Sequence, residues 1–230
     1  MSTQALLVLA GMLALWHAAD SIYQRFGSPA WLHPLIIAAP PVFLLAWLAG
    51  MDWPEFQQSA RPLEVLLAPA VVALALPLAS QWRSMLALWR PLLLIMVIGS
   101  LLAAGTALAL AALAGAPESI LLSVAPKSVT NPIALGIIEQ TGGIAPLTAA
   151  VVLVTGIAGA LLGPPIFRAM KIDDPRVIGF SLGLAAHIVG TARAAEYGGK
   201  AVAFAGLGMG LTGITTAWLL PPMLGWLFAH

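Results

Sequence analysis

Glu118–Gly142 reads ESILLSVAPKSVTNPIALGIIEQTG. It is apolar at Ile120-Leu121-Leu122, polar from Lys127 to Asn131, and apolar again from Ile133 to Ile138. Pro126 and Pro132 each remove a backbone donor and disfavour helix in the residue before them. A simple membrane-crossing helix would tolerate neither this pair of breaks nor a lysine between them. The segment therefore reads as a re-entrant hairpin or a pair of half-helices. The rest of the chain follows from asking what solvent surrounds it.

That solvent is lipid. The chain has 230 residues, 60% hydrophobic and 8% charged, with a mean hydropathy of +0.97. Water-soluble domains carry about 25% charged residues, so there is too little charge here to cover a wetted surface. Long Ala- and Leu-rich runs, not short alternating ones, favour helices over a barrel. A net charge of +1 gives nucleic acid nothing to meet, and the absence of cysteine removes disulfides and thiolate metal sites. The opening MSTQALLVLAGMLALWHAAD has no Lys or Arg before its apolar run, and reads as a retained first span, not a signal peptide.

About 20 apolar residues cross the hydrocarbon core as a helix. The runs that satisfy this are 4–22, 33–50, 63–80, 90–114, 145–166, 176–195 and 201–228. The expected fold is an all-α polytopic membrane protein with about seven spans plus the broken segment 118–142. On this count one side collects Arg25, Arg83, Arg90, Arg168, Lys171 and Arg176, and the other Arg61 and Lys200. The positive-inside rule then puts the first side in the cytoplasm, the N-terminus outside and the C-terminus inside. The stretches LLAPAVVALALPLASQ (66–81) and LAAHIVGTARAAEYGG (184–199) are weakly alike, which suggests repeat halves 1–115 and 116–230. Gly159-x-x-x-Gly163 reads as helix packing. Gly208-x-Gly210-x-x-Gly213 lacks the strand and acidic residue of a dinucleotide site and reads the same way.

Charged groups within a bilayer cost several kcal/mol and face a cavity or a partner. Two clusters qualify. In the first, Asn131 is expected as an N-cap with Pro132 at the first helical position. The positive end of that helix, beside Lys127 and flanked by Ser128 and Thr130, makes an anion seat. The competing reading is a surface loop with Lys127 snorkelling to the interface. In the second, AHIVGTARAAEYGGK, His187 and Thr191 share a helix face, Gly190 allows close approach, and Arg193 offers a carboxylate-matching fork. Glu196, three residues on, is the structural partner that would instead occupy Arg193. His187 is also a candidate proton carrier. Pro69 and Gly190, with Pro126 and Pro132, are the expected helix breaks. Asp173 and Asp174 are expected to cap the helix that starts at Pro175. No metal-ligand spacing, aspartate pair or activated serine is visible, so neither an enzyme nor a cofactor is expected.

APKSVTNPIA (125–134), GGIAPLTAAVVLVTGIAGALLGPPI (142–166), GLAAHIVGTARA (183–194) and LLAPAVVALALPL (66–78) resemble the LrgB/CidB membrane-protein family. The resemblance covers most of the chain and implies a single LrgB-like transmembrane domain, 1–230. It departs at Leu184-Ala185-Ala186, where hydroxyl residues are usual. It implies two functions. One is a holin- or antiholin-like regulator of murein hydrolase export and lysis, acting with a small LrgA-type membrane protein. The other, from plastid relatives, is a carrier of glycolate, glycerate or pyruvate across the inner membrane. The carrier is the expectation taken here, with the lysis regulator as its alternative, because broken helices with a buried cation suit a small-carboxylate site. Lys127 and the half-helix terminus would hold the carboxylate, and Ser128, Thr130, Asn131 and Thr191 its hydroxyl or keto oxygen. Arg193 would be a second ligand or gate. A chain with so few spans is expected to need a homo-oligomer or the LrgA-type partner.

Overall fold

The computed structural model describes residues 3–27 and 32–228. Those residues form eleven α-helices and no strand. Five helices are long and apolar enough to cross a membrane: Thr3–Arg25, Trp89–Leu113, Ala145–Ala169, Pro175–Tyr197 with its 3-10 end, and Gly199–Phe228. The protein is a polytopic helical membrane protein, as its composition requires.

The chain divides into two compact units, 1–73 and 74–230. In the first, α1 (Thr3–Arg25) packs on α2 (Pro34–Leu48) and α3 (Trp53–Ala73). Phe56 stacks on Trp53 and leans on Phe43. The expected span 63–80 is corrected here. Its helix begins ten residues earlier, at Trp53, runs through Pro69, and ends at Ala73. The cause is Pro77, which cannot donate to the carbonyl four residues back, that of Ala73, and whose ring crowds it. Ala75–Ser80 (α4) is a separate short helix of the second unit, followed by α5 (Trp82–Ala87).

The second unit is built on α6 (Trp89–Leu113), α9 (Ala145–Ala169) and α11 (Gly199–Phe228). At about 1.5 Å per residue each exceeds the roughly 30 Å hydrocarbon core. Large side chains such as Leu94, Leu102, Leu110, Val154 and Trp218 remain exposed on these helices, a surface made for lipid.

Between α6 and α9 lies the broken segment. Glu118–Val124 (α7) and Asn131–Thr141 (α8) are joined by a tight turn in which Lys127 N donates to Val124 O at 3.2 Å and Val129 N to Pro126 O at 3.3 Å. The two limbs return to one place. Ile144 N donates to Ser123 Oγ at 2.7 Å, and Thr148 Oγ1 to Ser123 O at 2.9 Å. Gly142, at φ 93°, ends α8 in the left-handed conformation that glycine adopts without strain. The segment is a hairpin whose base meets the start of α9. Its helix α8 starts one residue earlier than expected: Thr130 is the N-cap, with no side-chain capping bond, and Asn131 is already helical.

The larger correction concerns 176–195, expected as a span. Pro175–Ala194 (α10) is not straight. Ala186 (φ −129°, ψ 16°) and His187 (φ 43°, ψ −130°) interrupt it. A Cβ built on Gly190 would lie 2.1 Å from the Leu182 carbonyl oxygen and 2.8 Å from Ala186 Cβ. Residues eight apart in a straight helix are about 12 Å apart. Ala194 likewise packs in one cluster with Ile178 and Leu182. The chain thus doubles back at Ala186–His187, and 175–194 is a second hairpin.

Candidate functional site

The two hairpins enter from opposite ends, and α9 measures this. Thr148, near its start, bonds to the base of the first hairpin. At its other end Phe167 clusters with Ile178, beside the base of the second. Between them, Cβ atoms built on Gly163 and Gly159 would meet Leu182 and Ala186 at 2.8 and 2.6 Å. The second hairpin therefore climbs α9 to its middle. Helix α11 repeats the measurement: Ala201 and Ala205 carbonyls face Gly179 and Gly183, Gly213 faces Ile133, and Leu224 lines a recess with Glu118 and Thr141. Helix α6 agrees, with Leu92 beside Arg176 at one end and Leu108 packed with Leu122 toward the other.

Both tips lie along the middle of α9. Lys127, at the first tip, lines an open groove of about 460 Å³ together with Thr155 and Gly159 of α9 and Ser181, Leu182 and Ala185 of the second hairpin, and the remaining wall is largely apolar, with the exposed Val154, Leu162 and Ile166 of α9 at its lipid-facing side. Lys127 is partly buried, and its Nζ donates to Ser128 Oγ at 3.3 Å. Ser128 and Pro126 are buried, while Asn131 and Pro132 are exposed and Thr130 is intermediate. Ser181 and Thr155 were not marked by the sequence reading. Neither lies in a motif of its own, and only the packing of both hairpins on α9 brings them beside the lysine.

His187 forms the second tip. It is 3% exposed, and its Nε2 lies 3.0 Å from Val152 O of α9. Its Nδ1 has no hydrogen-bond partner among the described residues. A non-glycine residue at positive φ costs of order 1–3 kcal/mol, so the packing around it must hold it there. Gly156 contributes by leaving room for the imidazole: a Cβ there would sit 2.6 Å from His187 Cε1. Thr191 Oγ1 donates to His187 O at 2.9 Å and touches Met209 Sδ at 3.8 Å. Thr191 thus braces the tip from within the hairpin.

Arg193 is not beside Lys127. Because α10 doubles back, Arg193 lies next to Ala194 near the base of the second hairpin, buried and ion-paired with Glu196. The second cluster of the sequence is therefore split by depth, with His187 at the tip and Arg193 at the base. The chain break of this cluster falls at Ala186–His187, three to four residues before Gly190, whose role is to let the two limbs touch. At the same base Asp174 caps the helix, accepting from Arg176 N at 2.9 Å and from Arg176 Nη2 at 2.6 Å. The side-chain bond from Arg176, then its backbone N–H, holds the Asp174 carboxyl at a pKa of about 2. Among the described residues no group of His, Asp and Glu is arranged to hold a metal.

A scan against protein families matches the LrgB-like family over residues 12–226. The chain belongs to the LrgB-like family. The chain is similar to relatives of nearly the same length. YxaC of Bacillus subtilis (strain 168) is 30% identical over 97% of this chain and 96% of its own. The holin-like protein CidB of Staphylococcus epidermidis is 23% identical over 96% of both chains. The antiholin-like protein LrgB of Bacillus mycoides is 26% identical over 84% of this chain and 85% of its own. No solved structure matches the chain.

Proposed function

We propose that this protein acts in the cell membrane as a holin-like or antiholin-like regulator, setting permeability and through it murein hydrolase export and lysis. The supporting observation is that the family match runs from residue 12 to 226 and that relatives of full or near-full coverage carry those two names. The lipid-facing surface of α6, α9 and α11 suits assembly with further copies or with an LrgA-type partner. Proteoliposomes holding this chain, alone and with an LrgA-type protein, would test it. Non-saturable release of an entrapped dye, raised or suppressed by the partner, is expected. Retention of dye under every combination would overturn the reading.

A second reading is favoured by one observation, the partly buried Lys127 in a groove shared by two broken segments. It is a carrier of small 2-hydroxy or 2-oxo monocarboxylates such as glycolate, glycerate or pyruvate. Lys127 and Ser128 would meet the carboxylate and Ser181 a hydroxyl or keto oxygen. Thr130 and Asn131 would border the entrance. His187 would serve as a proton relay and Thr191 as its brace. Arg193, at the hairpin base, would act as a gate and not as a ligand. Saturable uptake of labelled glycolate, lost in Lys127→Ala, would support this reading over the first.

A further inference from the structure

We infer that 118–169 and 175–228 are two oppositely inserted copies of one unit, a re-entrant hairpin followed by a crossing helix, each hairpin reaching the middle of α9 from its own face. The first unit is α7–α8 and α9, and the second is α10 and α11. This repeat lies wholly within 116–230 and is distinct from the halves 1–115 and 116–230, because its matching element is a doubled-back segment and not a span.

Three crossing helices fix the opposition independently. Along α9, the first hairpin's base lies at Thr148 and the second's beyond Gly163. Along α11, the order is reversed, with the second hairpin's base at Ala201 and the first's at Leu224. Along α6, Leu92 meets the second hairpin and Leu108 the first. Irregular backbone at membrane depth survives only where protein or water surrounds it. Here Lys127 of one such stretch, 125–130, lines a groove with Ser181, Leu182 and Ala185, which lead up to the other stretch, 186–187, where His187 is buried against Val152 and Gly156 of α9. Inverted units with broken helices at the midplane are the arrangement in which one site opens in turn to either side.

Charge assigns the faces. Arg90, Arg168, Lys171, Arg176 and Lys200 all fall at the end where the second hairpin has its base. The segments at the other end, 113–118 and 139–148, carry only acidic charge. The positive-inside rule makes the first of these ends cytoplasmic. Lys200 joins it only because 175–197 doubles back. Phe228 then lies on the outer face, the reverse of what seven full spans imply.

The chain has no cysteine, so single cysteines report cleanly. Ala116→Cys and Gln140→Cys flank the first hairpin, and Asp173→Cys and Lys200→Cys the second. With a membrane-impermeant maleimide, the first pair is expected to label in right-side-out vesicles only and the second pair in inside-out vesicles only. Asp173→Cys and Lys200→Cys labelling from opposite faces would overturn the second hairpin, and the same result for Ala116→Cys and Gln140→Cys would overturn the first. Labelling needs no flux, so the absence of dye release or carboxylate uptake leaves these outcomes unchanged.

Discussion

Gly190 lies against the carbonyl oxygen of Leu182, eight positions earlier in the same nominal helix, so close that a Cβ there would stand 2.1 Å from it. With the interruption at Ala186–His187, that contact makes an apparent span a hairpin.

Gly190→Ala is therefore expected to be severely destabilising. The obstacle is backbone, which cannot swing aside, and overpacking of this kind costs about 1–3 kcal/mol or more. Gly105→Ala is the control, since nothing lies within 4 Å of its Cβ position and alanine favours helix by about 0.5–1 kcal/mol. Melting temperatures in detergent should fall by several degrees for the first and stay level or rise for the second. Equal behaviour would mean that the limbs do not touch.

His187 separates two effects of opposite sign. His187→Gly loses the bond to Val152 O, a net contribution of about 0.5–1.5 kcal/mol. It also relieves a positive φ that costs about 1–3 kcal/mol in any other residue. The variant should melt close to the parent. His187→Val removes the same bond, keeps the strain and adds a β-branch, and should be the least stable of the three. A melt in which glycine and valine lose stability equally would show that the backbone is not strained at this tip.

Lys127 should matter to transport and little to folding. Among the described residues its side chain makes one bond, a long one to Ser128, and the lysine lines an open groove. Lys127→Met keeps the aliphatic stem, so the melting temperature should shift by no more than a degree or two. If the carrier reading holds, glycolate uptake should drop at least about tenfold, equivalent to about 1.4 kcal/mol of lost binding. Unchanged uptake kinetics in a folded variant would remove Lys127 from the site.

The base of the second hairpin should respond to acid. Asp174 titrates at about 2 in the folded protein against an ordinary 3.8, chiefly because Arg176 bonds to it. A lowered folded pKa means that its stabilisation is complete above about 4 and is lost as pH falls from there through 2. Both groups are substantially exposed, so the effect is modest. Asp174→Asn can still cap the helix but cannot form the ion pair. Its melting temperature between pH 2 and 4 should fall less steeply than the parent's.

Much of this fold was legible. Helices α1, α6, α9 and α11 follow from long apolar runs, and the break at 126–130 follows from Pro126, Lys127 and Pro132 in close succession. The doubling of α10 was not, because no proline marks it. Its cause is a set of glycine contacts, from Gly190 to the Leu182 carbonyl of the first limb and from Gly179 and Gly183 to carbonyls of α11, and in sequence these look like ordinary helix packing. Arg193 consequently read as a mid-depth ligand, while its true neighbour, Glu196, stood three residues away. Pro77 was visible, but its effect falls four residues earlier, at Ala73, away from the proline that drew attention. Ser181 and Thr155 could not be found from the sequence at all, since each comes beside Lys127 only once both hairpins are packed on α9.

The approach of the two hairpins to the middle of α9 also bears on voltage. If the irregular backbone at 125–130 and 186–187 is wetted from opposite faces, a transmembrane potential falls across less than the full hydrocarbon width. An elementary charge crossing 100 mV exchanges about 2.3 kcal/mol. Under that condition the Lys127 ammonium, held by one long bond to Ser128, is the charge on which the cell's electrical state would act.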